Sequence, residues 1–517
     1  MDTILILDFG SQSTQLIGRR IRQLGVYSEI VRGDASLDAM RLEGVRGIIF
    51  SGSPFSVYET GAPSVDARVY EVGVPLLGIC YGLQRVSVDH GGVVASLGRK
   101  EYGRARVMLE DRTPLFSRIP ETSFLSWMSH GDSVSETPLG FRVVARSDNG
   151  IPAAFANEEK RIWGVQFHPE ASHCQYGMEI LESFVTDICS ARKDWNMRAF
   201  LLTEEDAVKR RVGTRKVVLL ISGGVDSCVV AALLLKSLDP AQVHLMYIDT
   251  GLMRLAESAE VLASLKTLGA RHVHPINASD RFYAGLAGVS DPEEKRRIIG
   301  DMFMRVQDEE IRTLGITDSF LAQGTLYTDL IESGKGVGNK ASVIKTHHNV
   351  RSPLVEAKRA QGLLIEPLSS LYKDEVRELG VTLGLSRSVV FRHPFPGPGL
   401  AVRILGEVTR EKCDLLRKAD ALFIAELRSR ELYDKIWQAF CVLLPVRSVG
   451  VSGDMRRYGH VLALRAVASL DAITADVYPL PMQDLLEISS LITNRIPEIG
   501  RVVYDISSKP PATIEWE

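Results

Sequence analysis

Residues 217–227 read Val-Val-Leu-Leu-Ile-Ser-Gly-Gly-Val-Asp-Ser. Val217 to Ile221 is an unbroken apolar run and reads as a buried strand of a parallel sheet. Ser222-Gly223-Gly224 breaks the strand, and Cys228 to Lys236 reads as a buried helix. A strand, a glycine turn and a helix N-terminus in succession make an anion site. Backbone N–H groups point outward there, and glycine lets phosphate oxygens approach the main chain. No Gly-Lys-Ser/Thr follows, so the Walker A arrangement is excluded. The loop Ser222, Gly223, Gly224, Val225, Asp226, Ser227 and Cys228 would instead hold phosphate through amides and the hydroxyls of Ser222 and Ser227. Asp226 is left to hold Mg2+, which would carry the positive charge that a lysine otherwise supplies.

Ser-Gly-Gly alone is compatible with an ordinary βα turn. The full Ser-Gly-Gly-Val-Asp-Ser string resembles the pyrophosphatase-type loop of enzymes that split ATP into AMP and pyrophosphate. More strands accompany it. Val243 to Ile248 ends on Asp249-Thr250-Gly251, at the carboxyl edge where open α/β sheets bind ligands. Val273 to Ile276 and Ser319 to Ala322 follow, the latter ending in Gln323-Gly324-Thr325. Strands alternating with helices predict a doubly wound parallel sheet.

At 517 residues the chain exceeds one core and predicts several domains. Net charge is −3, with 61 basic against 64 acidic residues, so no global field favours nucleic acid or an acidic membrane. No run of 18 apolar residues is present and the N-terminus lacks a basic leader. Six cysteines lie scattered without Cys-x-x-Cys spacing, which argues against a disulfide framework or a zinc cluster. The expectation is a cytoplasmic protein with no organic redox cofactor and no nucleic-acid or membrane partner.

In the first third, Ile4 to Leu7 and Gly47 to Phe50 read as buried strands, with a helix from about Thr14 to Leu24 between them. Pro75 to Ile79 leads into Cys80, which has Gly78 at i−2 and Gly82 at i+2 before a helix begins at Leu83-Gln84. This is a Gly-x-nucleophile-x-Gly elbow with cysteine in the serine's place. The turn exposes the side chain, and the next N–H helps build an oxyanion hole. A helix N-terminus also biases a cysteine toward thiolate. Ile162 to Phe167 is a strand leading into His168-Pro169-Glu170, where a histidine and an acid can supply a base and its orienter.

With Trp127 to Asp132, these residues resemble a class I (triad) glutamine amidotransferase. The resemblance implies that Cys80 attacks the glutamine carboxamide and that His168 and Glu170 complete the triad. It further implies an oxyanion hole from the N–H groups of Gly52 and Tyr81. Gln84, Ser129, His130, Gly131 and Asp132 would then contact glutamine.

After a connector at Lys193 to Met197, an acidic-basic helix is expected from Thr203 to Arg211. Asp291 to Arg297 starts a helix with acids before bases, the order the dipole favours. Ser333 to Lys340 is a glycine-lysine stretch that reads either as a solvated linker or as a lid on phosphates. His347-His348 lacks metal-ligand spacing. His393 to Gly399, rich in proline and glycine, marks a boundary with a rigid turn. Beyond it a helix is expected over Arg410 to Leu432, strands over Gln438 to Leu444 and His460 to Val467, helix through most of Ala472 to Ser489, and a strand at Arg501 to Ile506. The tail 507–517 carries Lys509, a Pro-Pro pair, Ile514 and Trp516, and is expected to dock rather than fray.

The order of amidotransferase, SGGVDS domain, HPFPGPGLAVR and terminal DISSKPPATIEWE resembles the glutamine-hydrolysing GMP synthetase family over essentially the whole chain. The resemblance implies an α/β fold in three parts. Residues 1–192 would be the amidotransferase, 205–390 the ATP pyrophosphatase, and 391–517 an α+β domain that forms a homodimer and helps bind xanthosine monophosphate (XMP). It implies glutamine, ATP and XMP as substrates, with Mg2+. By the same resemblance, Asp249, Gln323, Gly324 and Lys345 would join the loop in binding ATP. Lys509 and Glu515 would contact XMP, with Arg296, or its neighbour Arg297, as a third contact. The chain departs from the family's usual pattern at Thr328, at Arg351-Ser352-Pro353 and at Ala171 to Cys174, none of which removes a catalytic group. An RNA-modifying domain with the same loop would show a basic stripe with interleaved aromatics, and none is visible.

Overall fold

The computed structural model describes residues 1–96, 100–333, 353–452, 455–469 and 474–517. The glycine-lysine stretch after Ser333, Lys345, the His347-His348 pair and Arg351-Ser352 lie outside the described residues. Met1–Phe200 form one compact unit, and Leu201–Asp329 fold with the chain from residue 353 onward as a second.

The first unit is built on a sheet whose parallel half runs in the order Tyr27–Arg32, Thr3–Asp8, Val45–Phe50, Leu76–Ile79, Ile162–Val165. Pro152–Asn157, Arg142–Ser147, Glu101–Leu109 and Ser123–His130 extend it antiparallel. Ile4, Leu5, Ile6 and Leu7 are all fully buried, as expected of a parallel strand covered on both faces. The expected helix near Thr14 spans Thr14–Gln23. The helix after Cys80 begins at Tyr81, two residues earlier than expected, because it starts directly at the elbow.

In the second unit, His272–Asn277, Val243–Asp249, Val217–Ile221, Phe320–Ala322 and Leu364–Ile365 lie side by side and are all parallel. The first strand in sequence sits in the middle and the chain winds outward in both directions, which is the doubly wound topology. The helix after the loop begins at Val225, earlier than Cys228, so Asp226 and Ser227 belong to its first turn. The helix before this sheet spans Met197–Val212, longer than the expected Thr203 to Arg211, because the Asn196 side chain accepts a hydrogen bond from the Ala199 N–H and sets an earlier cap.

Residues from Arg410 onward pack into the same unit. Helices Arg410–Ser429 and Met482–Arg495 cover a sheet made of Gln438–Ser452, Met455–Ala468, Asp476–Val477 and Ile499–Asp505. One apolar core joins Phe282 and Ile299 to Leu416, Phe423, Leu462 and Ile488. The helix expected from Ala472 starts only at Met482, because Pro479 and Pro481 interrupt any earlier turn. The two strands expected to end at Leu444 and begin at His460 continue into a long antiparallel arm, with a register shift between Leu443 and Arg447.

The tail is docked. Ile514 is buried, and the Trp516 Nε1 donates to Asp505 at 2.9 Å. The Glu517 side chain meets the Lys295 ammonium, which is fully buried and also donates to the Ile404 carbonyl at 2.8 Å. Removing one member of a buried ion pair leaves the other charge uncompensated, at about 3–5 kcal/mol. Deleting Glu517 should lower unfolding stability by about that amount in urea titrations. Lys295→Met in the same truncated chain should recover much of the loss.

Candidate active site

Cys80 occupies the turn between strand Leu76–Ile79 and helix Tyr81–Asp89 with φ 54° and ψ −106°, a conformation that few side chains adopt willingly. The two elbow glycines make the turn possible. A Cβ on Gly78 would lie 2.6 Å from the Gly82 carbonyl carbon, and one on Gly82 would lie 2.4 Å from the Phe50 carbonyl oxygen. Neither position admits a larger residue without moving backbone.

Strand Ile162–Val165 pairs with Leu76–Ile79, so His168 and Glu170 emerge beside the elbow. The His168 Nδ1 is 2.7 Å from the Glu170 Oε1, and Glu170 is fully buried. The Cys80 sulfur also lies close enough to act on the imidazole electrostatically. Burial alone would depress the imidazole. The Glu170 carboxylate and the Cys80 sulfur override it and hold His168 well above the ordinary histidine range. The three residues of the expected triad are therefore brought together. A Cβ on Gly52 would lie 3.4 Å from the His168 Cε1, so the Gly52 backbone also borders the imidazole.

The Ser129–Asp132 segment closes the other side. The Cys80 thiol donates to the Ser129 carbonyl at 3.8 Å, and the Gln84 Nε2 donates to the Asp132 carbonyl at 2.7 Å. The His130 ring turns inward, with Nε2 3.1 Å from the Glu101 Oε2 and Nδ1 3.2 Å from the Ser133 hydroxyl. Burial lowers its proton affinity against the pull of the Glu101 carboxylate, and the ring ties the loop to Glu101. Tyr81, pushed up to about 12 by burial, donates its hydroxyl to the Pro63 carbonyl at 2.6 Å and leaves its N–H at the elbow.

In the second unit the Ser222–Ser227 turn joins strand Val217–Ile221 to helix Val225–Ser237. Gly223 has φ 79°, and the Ser222 hydroxyl accepts from the Gly224 N–H at 3.3 Å while lying 3.3 Å from the Ser227 hydroxyl. Cys228 is buried, with its thiol pushed up to about 11 by desolvation. Gly324 packs against the loop, where a Cβ would fall 3.1 Å from the Asp226 Cβ, and Gln323 joins the edge through its N–H to the Ile365 carbonyl at 2.9 Å. Asp249 shapes the neighbouring strand end, accepting from the Gly251 N–H and the Ser258 hydroxyl, each at 2.8 Å.

Lys373 was not marked by sequence reading. Its ammonium donates to both Asp226 carboxylate oxygens at 2.7 Å. It is the first residue of helix Lys373–Thr382, far along the chain from the loop, and no local pattern signals the pairing. Gln166 was also missed, although a polar residue inside the apolar run Ile162 to Phe167 was a signal that could have found it. Arg296 donates to a main-chain oxygen of Glu517, and Glu515 is held by the fully buried Arg403 at 2.8 and 3.0 Å and by Gln438 at 2.7 Å. The Lys509 backbone pairs with Ala475 in both directions.

Residues 5–188 match the glutamine amidotransferase class-I family, 202–289 the asparagine synthase family, and 425–516 the GMP synthase C-terminal domain. The chain is 49% identical over 514 residues to a glutamine-hydrolysing GMP synthase of Aquifex aeolicus, covering 99% of each chain. It belongs to the glutamine-hydrolysing GMP synthase family. Relatives of the same name from Chlorobium chlorochromatii and Lactobacillus acidophilus are each 48% identical, covering all of this chain and 100% and 98% of their own. The family thus matches across both units, amidotransferase centre and phosphate loop together.

The His168–Glu170 pair has a pH signature. With the folded value of His168 raised, the pair's contribution is complete below an unfolded value of about 6.5 and is lost as pH rises through the folded one. The stability advantage of the natural protein over Glu170→Gln should therefore shrink as pH is raised from about 6.5 into the alkaline range. Chemical denaturation at a series of pH values measures it.

Proposed function

We propose that this chain makes GMP from XMP, ATP and glutamine, with glutamate, AMP and pyrophosphate as the other products. One observation carries the reading: Cys80, strained at its elbow and joined to His168 and Glu170, shares a chain with the Ser222–Ser227 loop and its Lys373–Asp226 pair. Ammonia released at the first centre has a consumer in the second.

In the glutaminase half, His168 takes the Cys80 proton and the thiolate attacks the carboxamide carbon. The N–H groups of Gly52 and Tyr81 receive the negative charge on oxygen, and Glu170 stabilises the imidazolium. His168 returns the proton to the departing ammonia, and water then cleaves the thioester to glutamate. Gln84 and Ser129, Gly131 and Asp132 hold the substrate, with His130 supporting that loop through Glu101.

In the synthetase half, the O2 of XMP attacks the α-phosphate of ATP, and ammonia then displaces AMP at C2. Ser222 to Cys228 hold the leaving pyrophosphate through amides and hydroxyls, with Asp249, Gln323 and Gly324 around the nucleotide. Lys373 is placed to balance charge at the same loop. Asp226 would be the protein ligand for Mg2+, with the phosphates supplying further oxygens, once the Lys373 ammonium that holds both of its carboxylate oxygens gives one up. When bound, the ion would neutralise the charge developing on pyrophosphate. Arg296, Lys509 and Glu515 contact XMP.

We assign residues 1–192 to the glutaminase, 205–390 to the ATP pyrophosphatase and 391–517 to dimerisation. The arm Gln438–Ser452 with Met455–Ala468 supports a homodimer, because Val449, Val451 and Met455 are 49%, 80% and 75% exposed. We place the reaction in the cytoplasm, where ATP is available and all six free cysteines would stay reduced.

Cys80→Ala should abolish GMP formation with glutamine and leave it intact with ammonium chloride, read as the change in purine absorbance. Activity of that variant with glutamine would remove the triad, and no turnover of XMP by either route would remove the acceptor. Val451→Asp with Met455→Asp should convert a dimer to a monomer in analytical ultracentrifugation, and a monomeric natural protein would refute the dimer.

A further inference from the structure

Gln166 is fully buried, and the triad as described makes no use of it. Its Nε2 lies 3.7 Å from the Cys80 Sγ, and its Oε1 lies 3.3 Å from the Gln84 Nε2. The orientation of both carboxamides follows from one group. The Asp132 main-chain carbonyl can only accept, so the Gln84 amide turns its NH2 toward it at 2.7 Å. The second Gln84 proton then meets the Gln166 oxygen, which leaves the Gln166 NH2 facing sulfur. A second polar neighbour of the sulfur, besides the imidazole of His168, has the opposite sense. The Ser129 carbonyl, at 3.8 Å, is satisfied by a thiol S–H and repels a thiolate. The Gln166 N–H favours the thiolate, since a charged acceptor makes the stronger hydrogen bond.

We propose that Gln166 is a further catalytic residue of the glutaminase centre, donating an N–H to the Cys80 sulfur to stabilise its thiolate, with Gln84 and the Asp132 carbonyl fixing the direction of that donor. The inference rests on the glutaminase reading of Cys80. It also gives Gln84 a second duty: a residue that borders the bound glutamine sets the donor on the nucleophile, so filling the site and activating the sulfur are linked. The proton still leaves for His168, and no bond to Gln166 forms or breaks.

The experiment is Cys80 alkylation by iodoacetamide in the full-length protein, followed by peptide mass mapping across a range of pH. Gln166→Leu should move the inflection of alkylation rate upward by about one pH unit, the size expected of one hydrogen bond to a charged group. Glutaminase kcat should fall about tenfold to a hundredfold, with KM for glutamine changed less than about twofold. GMP formation from ammonium chloride should persist. An inflection and kcat equal to those of the natural protein would overturn the proposal. Gln166→Met, unbranched and of similar volume, carries the same test if leucine disturbs the sheet. Gln84→Leu should shift the inflection in the same direction by less, and an unshifted profile there would overturn the relay. If Cys80→Ala still uses glutamine, the glutaminase reading fails. If Cys80→Ala is inactive with glutamine while Gln166→Leu matches the natural protein, this inference alone fails.

Discussion

The end of a parallel strand, where the chain must turn onto a helix, leaves backbone N–H groups without partners. Both reactive centres of this protein are built on that one feature. At Cys80 the turn is so tight that the cysteine itself sits at positive φ. At Ser222–Ser227 the positive φ falls on Gly223 instead, and the Ser222 hydroxyl takes the Gly224 N–H. The two turns thus differ in which residue takes the strained backbone, a cysteine in one and a glycine in the other. Close backbone contact demands glycine at Gly78 and Gly82, and Gly324 packs tightly against Asp226.

Around the first turn, polar groups come in oriented pairs. Glu170 fixes His168, Glu101 fixes His130, and Asp132 fixes Gln84. Each reacting or binding side chain is buried and held by a second one, which limits the reorganisation needed when charge develops. In the second unit, fully buried Lys295, Arg403 and Arg465 occupy the same role near the tail, meeting Glu517, Glu515 and Asp505. Isolated charges in such places would be expensive, so the tail is part of the core's electrostatics.

Much of the secondary structure was legible because apolar runs and glycines are local signals. The strand over 217–221, the elbow at Cys80 and the terminal strand near 501–506 lie where their residues put them. The misplaced boundaries have local causes as well: the Asn196 cap, and the prolines at 479 and 481 that delay the last long helix. The long arm beyond Leu444 was not legible, because Pro445 ends the apolar alternation and pairing resumes after a shift of register.

The sequence alone determined which residue types stand at each turn: cysteine between two glycines, His-Pro-Glu after a strand, serine and aspartate around Gly-Gly. These are short-range facts, and they fall within the residues that the family models match. Only the tertiary structure decided the partners that come from distant positions. Lys373 reaches Asp226 across 147 residues, Gln166 reaches Cys80 across 86, and Glu517 reaches Lys295 across 222. The physical reason is that a hydrogen bond or ion pair is fixed by where two strands, or a helix and a tail, come to lie in space. No periodicity along the chain encodes that neighbour.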